Sequence, residues 1–138
     1  MTDISPKVER KVAIVDENQT VLDAAKVMVE RYIGSVVVDG SSTVKGIFTE
    51  RDLIRVVARQ QDLRQVKLKD VMRTVLVRVR PSSTVEECLE LMRTNRCRHL
   101  LVFEGDSFVG IVSLRDLAAL MLEEKEALVE QLTKYITS

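Results

Sequence analysis

A Thr or Ser followed three residues later by a carboxylate recurs along this 138-residue chain, and four of these pairs stand where a helix can start. They are Thr20 with Asp23, Thr49 with Asp52, Thr84 with Glu87, and Ser113 with Asp116. Such a pair can close a capping box, in which each side chain accepts a hydrogen bond from the other residue's backbone N–H at a helix start. At a strand-to-helix turn, an ionised carboxylate can also accept from both hydroxyls of a cis-diol. The helix N-terminus beside it offers free N–H groups to an anion. Catalysis is poorly served by what remains. His99 is the single histidine, and no nucleophile–base pair is evident. Cys88 and Cys97 form no CxxC, and with one histidine they are too few for a structural zinc site. The phosphate loop G-x-x-x-x-G-K-S/T is absent. A non-enzyme with no metal and no cofactor is expected.

Composition agrees with a small globular protein. Apolar residues make up 46% and charged residues 30%, and Lys plus Arg balances Asp plus Glu at 21 each. That neutrality gives no general pull toward nucleic acid or an anionic membrane. Arg93, Arg96 and Arg98 gather locally, but no pattern of stacking aromatics accompanies them, so nucleic acid is not an expected partner. No run approaches the roughly 18 apolar residues that span a bilayer. The first residues, Met1-Thr2-Asp3-Ile4-Ser5-Pro6, lack the basic and apolar regions of a signal peptide. Two reduced cysteines in a cytoplasmic protein are expected.

An internal duplication organises these elements. With Thr20 set on Thr84, Met28 falls on Met92, Val38 on Val102, and Gly46-Ile47 on Gly110-Ile111. Arg51-Asp52-Leu53 falls on Arg115-Asp116-Leu117 without a gap. Each copy begins with a β-rich run, at 12–15 and 75–79. A helix follows, with apolar Val21, Ala24, Ala25 and Met28, or Val85, Cys88, Leu89 and Met92, at the helical period. Val36-Val37-Val38 and Leu100-Leu101-Val102 are continuous apolar runs, as in a buried strand. Turn residues at 39–42 and 104–107 lead into a second strand, at 44–49 and 108–113, and a closing helix starts at Glu50 and Leu114. The expected fold is α+β, two β-α-β-β-α repeats with a longer C-terminal helix. The boundaries are 8–60, a polar linker at 61–71, 72–122, and an extension at 123–138. Leu128, Leu132 and Ile136 continue the apolar series past Leu117, Leu120 and Met121. The extension is expected to cover a core or to meet a second subunit.

The repeated segments resemble cystathionine-β-synthase-type (CBS) domains. The first copy carries Tyr32-Ile33-Gly34-Ser35-Val36-Val37-Val38-Asp39 and Gly46-Ile47-Phe48-Thr49-Glu50-Arg51-Asp52-Leu53. The second carries Asn95-Arg96-Cys97-Arg98-His99-Leu100-Leu101-Val102 and Gly110-Ile111-Val112-Ser113-Leu114-Arg115-Asp116-Leu117. Lys69-Asp70-Val71-Met72 is similar to the lead-in before such a repeat. The likeness covers about residues 8 to 122. Both copies have Val37 or Leu101 where many members have proline.

The resemblance implies a stand-alone tandem pair with pseudo-twofold symmetry and two clefts between the repeats. There, Asp accepts from ribose hydroxyls and Thr or Ser supports an adenosine ligand nearby. One set would be Thr49, Arg51 and Asp52 with Met72, Val75, Val77, Cys97, Arg98 and His99. The other would be Ser113, Arg115 and Asp116 with Lys11, Ala13, Tyr32, Ile33 and Gly34. Apolar side chains would sandwich the purine and basic ones would face phosphate. Arg98 and His99 stand where the first copy has Gly34 and Ser35, so the Asp52 set is expected to be better equipped for phosphate. The expected function is a non-catalytic regulatory module for AMP or ADP, with ATP and S-adenosylmethionine open. A homodimer signalling to a separate effector protein is expected. The competing expectation is a ligand-free structural dimer.

Overall fold

The computed structural model describes residues 2–137, which fall into two units. One unit is Lys11–Leu76; the other joins the residues up to Arg10 to those from Val77 onward. The first contains β1 (Ile14–Asp16), α1 (Val21–Arg31), β2 (Ser35–Gly40), β3 (Thr43–Thr49), α2 (Glu50–Ala58) and the short α3 (Leu68–Val71). The second contains a 3-10 turn at Ser5–Lys7, then β4 (Arg78–Val79), α4 (Val85–Asn95), β5 (His99–Glu104), β6 (Ser107–Ser113) and α5 (Leu114–Thr137). This is the α+β architecture of two β-α-β-β-α repeats with a long final helix. Among the described residues, no helix is long and apolar enough to cross a membrane.

Each unit builds the same three-stranded sheet, β1-β2-β3 or β4-β5-β6. The outer β1 and β4 run parallel to the middle strand, and the hairpin partners β3 and β6 run antiparallel to it. The middle strands carry the continuous apolar runs because Val36, Val37 and Val38, and Leu100, Leu101 and Val102, are buried. Val36 and Val38 face α1 and α2 in a core with Val21, Ala24, Met28, Phe48 and Val56. Leu100 and Val102 do the same with Val85, Cys88, Met92, Val112, Leu117 and Leu120. Even the irregularity is duplicated. Val38 pairs with Gly46 and Asp39 with Val44, and likewise Val102 pairs with Gly110 and Phe103 with Phe108. One extra residue bulges from each hairpin, Lys45 or Val109.

Three details differ from the local sequence patterns. The strand expected at 75–79 is confined to Arg78–Val79. The segment 61–71 is more than a polar linker. Leu68 is fully buried in the core of the first unit, and Val66 and Gln19 carbonyls accept from Val21 and Leu68 N–H at 2.9 Å each. The final helix buries Leu117 and Leu120, but every residue from Met121 to Thr137 is exposed.

Each unit also recruits the segment that precedes the other repeat. Arg73 exchanges backbone hydrogen bonds with Ile47 of β3, at 3.0 and 2.9 Å. Glu9 exchanges them with Ile111 of β6, at 2.8 and 3.1 Å. The glycine before each paired residue permits this approach. A Cβ on Gly46 would lie 2.6 Å from the Arg73 carbonyl oxygen, and one on Gly110 would collide with that of Glu9.

Candidate functional site

All four capping boxes form. At α1, Thr20 N–H donates to Asp23 Oδ2 at 3.0 Å and Asp23 N–H to Thr20 Oγ1 at 3.2 Å. Hydrogen bonding to the carboxylate, from the Thr20 N–H first and the Thr20 hydroxyl second, holds the Asp23 carboxyl below its usual range. The Thr84–Glu87 box at α4 is of the same kind, and neither is assigned a ligand.

The boxes at α2 and α5 differ because a strand runs directly into the helix. β3 ends at Thr49 and α2 starts at Glu50; β6 ends at Ser113 and α5 starts at Leu114. The two helix starts are clasped to the same place in each repeat. Glu50 N–H donates to the Gly34 carbonyl at 3.0 Å, and Leu114 N–H to that of Arg98 at 2.8 Å. Ser35 pairs with Thr49 and His99 with Ser113 across the hairpins. Gly34 is thus brought beside Thr49 and Asp52, and Arg98 and His99 beside Ser113 and Asp116.

The two carboxylates are held differently. Asp52 is only 8% exposed. Its Oδ2 accepts from Thr49 N–H at 2.9 Å and from the Thr49 hydroxyl at 3.0 Å. Its Oδ1 accepts from Arg55 Nη1 at 3.1 Å. Asp116 is half-buried; its Oδ2 accepts from Ser113 N–H at 2.9 Å. Asp116 Oδ1 has no partner among the described residues. Arg55 had no place in the sequence reading, although Asp52 and Arg55 show the i, i+3 spacing of a helical ion pair.

The remaining candidates divide between the units. Lys11, Ala13, Tyr32, Ile33, Gly34, Thr49, Arg51, Asp52, Met72 and Val75 belong to Lys11–Leu76. Val77, Cys97, Arg98, His99, Ser113, Arg115 and Asp116 belong to the other unit. Ala13 is buried; Ile33, Gly34, Met72, Val77, Cys97 and His99 are half-buried. Met72 packs on the core of its unit and lies against Gly46. Val75 is 76% exposed and outside any strand. Tyr32, exposed, is the left-handed C-cap of α1, a role Arg96 has at α4. Arg51, Arg98 and Arg115 are exposed, and their guanidiniums have no ion-pair partner among the described residues. Burial, with Glu87 adding, pushes the Cys88 thiol up to about 11, so it is no activated nucleophile at neutral pH.

Comparison with known proteins decides the family. The sequence profile of the CBS domain matches residues 2–59 and 68–123. The chain belongs to the CBS domain family. CBS domain-containing protein YhcV of Bacillus subtilis is 32% identical over 128 residues, covering 92% of this chain and 91% of that protein. Among solved structures, a protein with CBS domains from Burkholderia ambifaria superposes with a TM-score of 0.84 at 31% identity. It covers 88% of this chain and 95% of its own. A CBS-domain-containing protein from Agrobacterium tumefaciens gives 0.77 at 33% identity, over 84% and 88%. CBS domain pairs are typically regulatory and non-catalytic. The two matched CBS segments here correspond to the two copies of the duplication.

Proposed function

We propose that this CBS pair is a non-catalytic regulatory module that binds an adenosine-containing ligand through the carboxylates of Asp52 and Asp116. The observation that carries the reading is Asp116: a half-buried carboxylate fixed by a strand-to-helix box, with one oxygen that has no partner among the described residues. An ionised carboxylate so fixed is a ready acceptor for a ribose cis-diol. The guanidiniums of Arg51, Arg98 and Arg115, exposed and without an ion-pair partner among the described residues, are suited to phosphate, which favours AMP or ADP over a ligand without it. Signalling follows by population shift: a ligand that prefers one conformation enriches it, and a separate effector protein reads the change.

Thermal melting with AMP, ADP, ATP and S-adenosylmethionine tests this. A ligand at about 100 times its dissociation constant is expected to stabilise the protein by about 2.7 kcal/mol, a rise of several degrees. No rise with any of the four, in a preparation free of co-purified nucleotide, contradicts the reading.

A second reading, a dimer-forming interaction module, is favoured by the outer half of α5. Met121, Leu122, Leu128, Val129, Leu132, Tyr135 and Ile136 are all exposed there. Seven large apolar side chains on about four turns exceed the scattered exposure normal for a surface. Covering them would supply much of the roughly 800 Å² per partner of a standard interface. A second copy running antiparallel sets the acidic stretch Glu123, Glu124 and Glu126 beside Lys134 of its mate. Sedimentation is expected to show a dimer that Leu128→Glu with Leu132→Glu dissociates. A wild-type monomer throughout the micromolar range counts against it.

A further inference from the structure

The duplication places Ala119 where the first repeat has Arg55, so the two boxes differ by a guanidinium as well as by the Thr49 hydroxyl, which donates to Asp52. Resting on the reading of Asp52 and Asp116 as ribose acceptors, we infer that Arg55 competes with the ligand's ribose for Asp52 and makes Asp116 the first carboxylate to be occupied.

A carboxylate has about four lone-pair positions for donors. Asp52 already receives three donors: Thr49 N–H, the Thr49 hydroxyl and Arg55 Nη1. One position remains, and a cis-diol donating both hydroxyls needs two. Among the described residues Asp116 receives only Ser113 N–H, so three positions remain. The diol therefore docks on Asp116 without displacing anything. On Asp52 it must first move a side chain, and Arg55 is the one free to move. Its side chain is 49% exposed against 10% for Asp52, and it belongs to no core cluster. The Thr49 hydroxyl, by contrast, also accepts from Asp52 N–H at 3.4 Å as part of the cap. Ranking the two sets that the family likeness implies, in which Arg98 and His99 go with Asp52, by basic residues for phosphate gives the reverse order, Asp52 first. The ribose end and the phosphate end thus make opposite predictions, and Arg55 separates them.

An exposed ion pair is weak, so the effect is modest and measurable. Calorimetric titrations with AMP and with adenosine on Asp116→Ala report Asp52 alone. Adding Arg55→Ala to that variant is expected to tighten both ligands about twofold to fivefold, the range of an exposed pair. For 2′-deoxyadenosine, which asks for a single acceptor, the gain is expected to be much smaller. In the reciprocal direction, Ala119→Arg added to Asp52→Ala is expected to weaken adenosine at Asp116 by a similar factor. Arg55→Ala that leaves adenosine affinity unchanged, or weakens it, overturns the inference and makes Arg55 neutral or a ligand contact. Wild-type protein and variants that all fail to bind AMP and adenosine overturn the ribose reading itself, an outcome distinct from binding that ignores Arg55.

Discussion

Phe48→Ala is expected to remove about 3–5 kcal/mol of folding stability, the range for emptying a buried aromatic site. Phe48 lies opposite Val36 in the β2–β3 hairpin and is fully buried with Val21, Ala24, Met28 and Val56. These residues belong to two helices and the neighbouring strand, so no single side chain can collapse into the space. A domain of this size is stable by about 5–15 kcal/mol in all, so the variant sits near the edge of folding. Urea denaturation followed by circular dichroism measures the loss. A cost below 1 kcal/mol would mean that the sheet–helix core of Lys11–Leu76 is not the one described. In the second unit the equivalent residue is the smaller Val112, also fully buried. Shortening it to alanine should cost less.

Gly46→Val is the other large effect, and it touches the candidate site. A Cβ at this position would lie 2.6 Å from the Arg73 carbonyl oxygen and 2.7 Å from Met72 Sδ. The sulfur can swing away, but the carbonyl is held by the Ile47–Arg73 bridge. Overpacking of about 1–3 kcal/mol adds to about 1 kcal/mol for each of the two bridge bonds, giving about 3–5 kcal/mol. Hydrogen exchange should show the Ile47 and Arg73 amides losing protection before those of β2. If the bridge amides remain protected, the glycine has another cause. Because Met72 is one of the residues the family likeness assigns to the ligand, weaker AMP affinity should accompany the lost stability.

That glycine shows where sequence patterns reach and where they stop. The capping boxes were legible because a box is defined by two residues three apart, and both partners appear in the local sequence. The buried middle strands were legible because Val36-Val37-Val38 and Leu100-Leu101-Val102 leave no polar face. The pairing of Arg73 with Ile47 and of Glu9 with Ile111 joins residues far apart in the chain, and no periodicity records such a bridge. Its trace in the sequence was the motif glycine itself, which the family likeness alone would tie to the ligand. Asp39-Gly40-Ser41-Ser42 was legible as a turn, but its detail was not. Gly40 stays in β2, while Ser41 and Ser42 take positive φ, 51° and 64°. The exposed end of α5 was ambiguous because an apolar series at helical spacing reads the same whether it meets a core or a second copy.

Within the candidate site, the two Thr/Ser-x-x-Asp boxes were visible from spacing, but their inequality was not. It arises from the Thr49 hydroxyl, which donates to Asp52, and from Arg55, one turn further along α2, where α5 has alanine at the matching place. An i, i+3 ion pair can be read from a sequence only as a possibility, since solvent competes with it at every exposed helix surface.

The most direct test of adenosine-ligand binding is a calorimetric titration of AMP into nucleotide-free wild-type protein and into Asp52→Ala/Asp116→Ala. Losing each box costs only about 1 kcal/mol of capping, so the double variant should remain folded. Saturable binding to the wild type that disappears in the double variant is the predicted result. A wild type that takes up no AMP, ADP, ATP or S-adenosylmethionine, or a double variant that binds AMP undiminished, would contradict it.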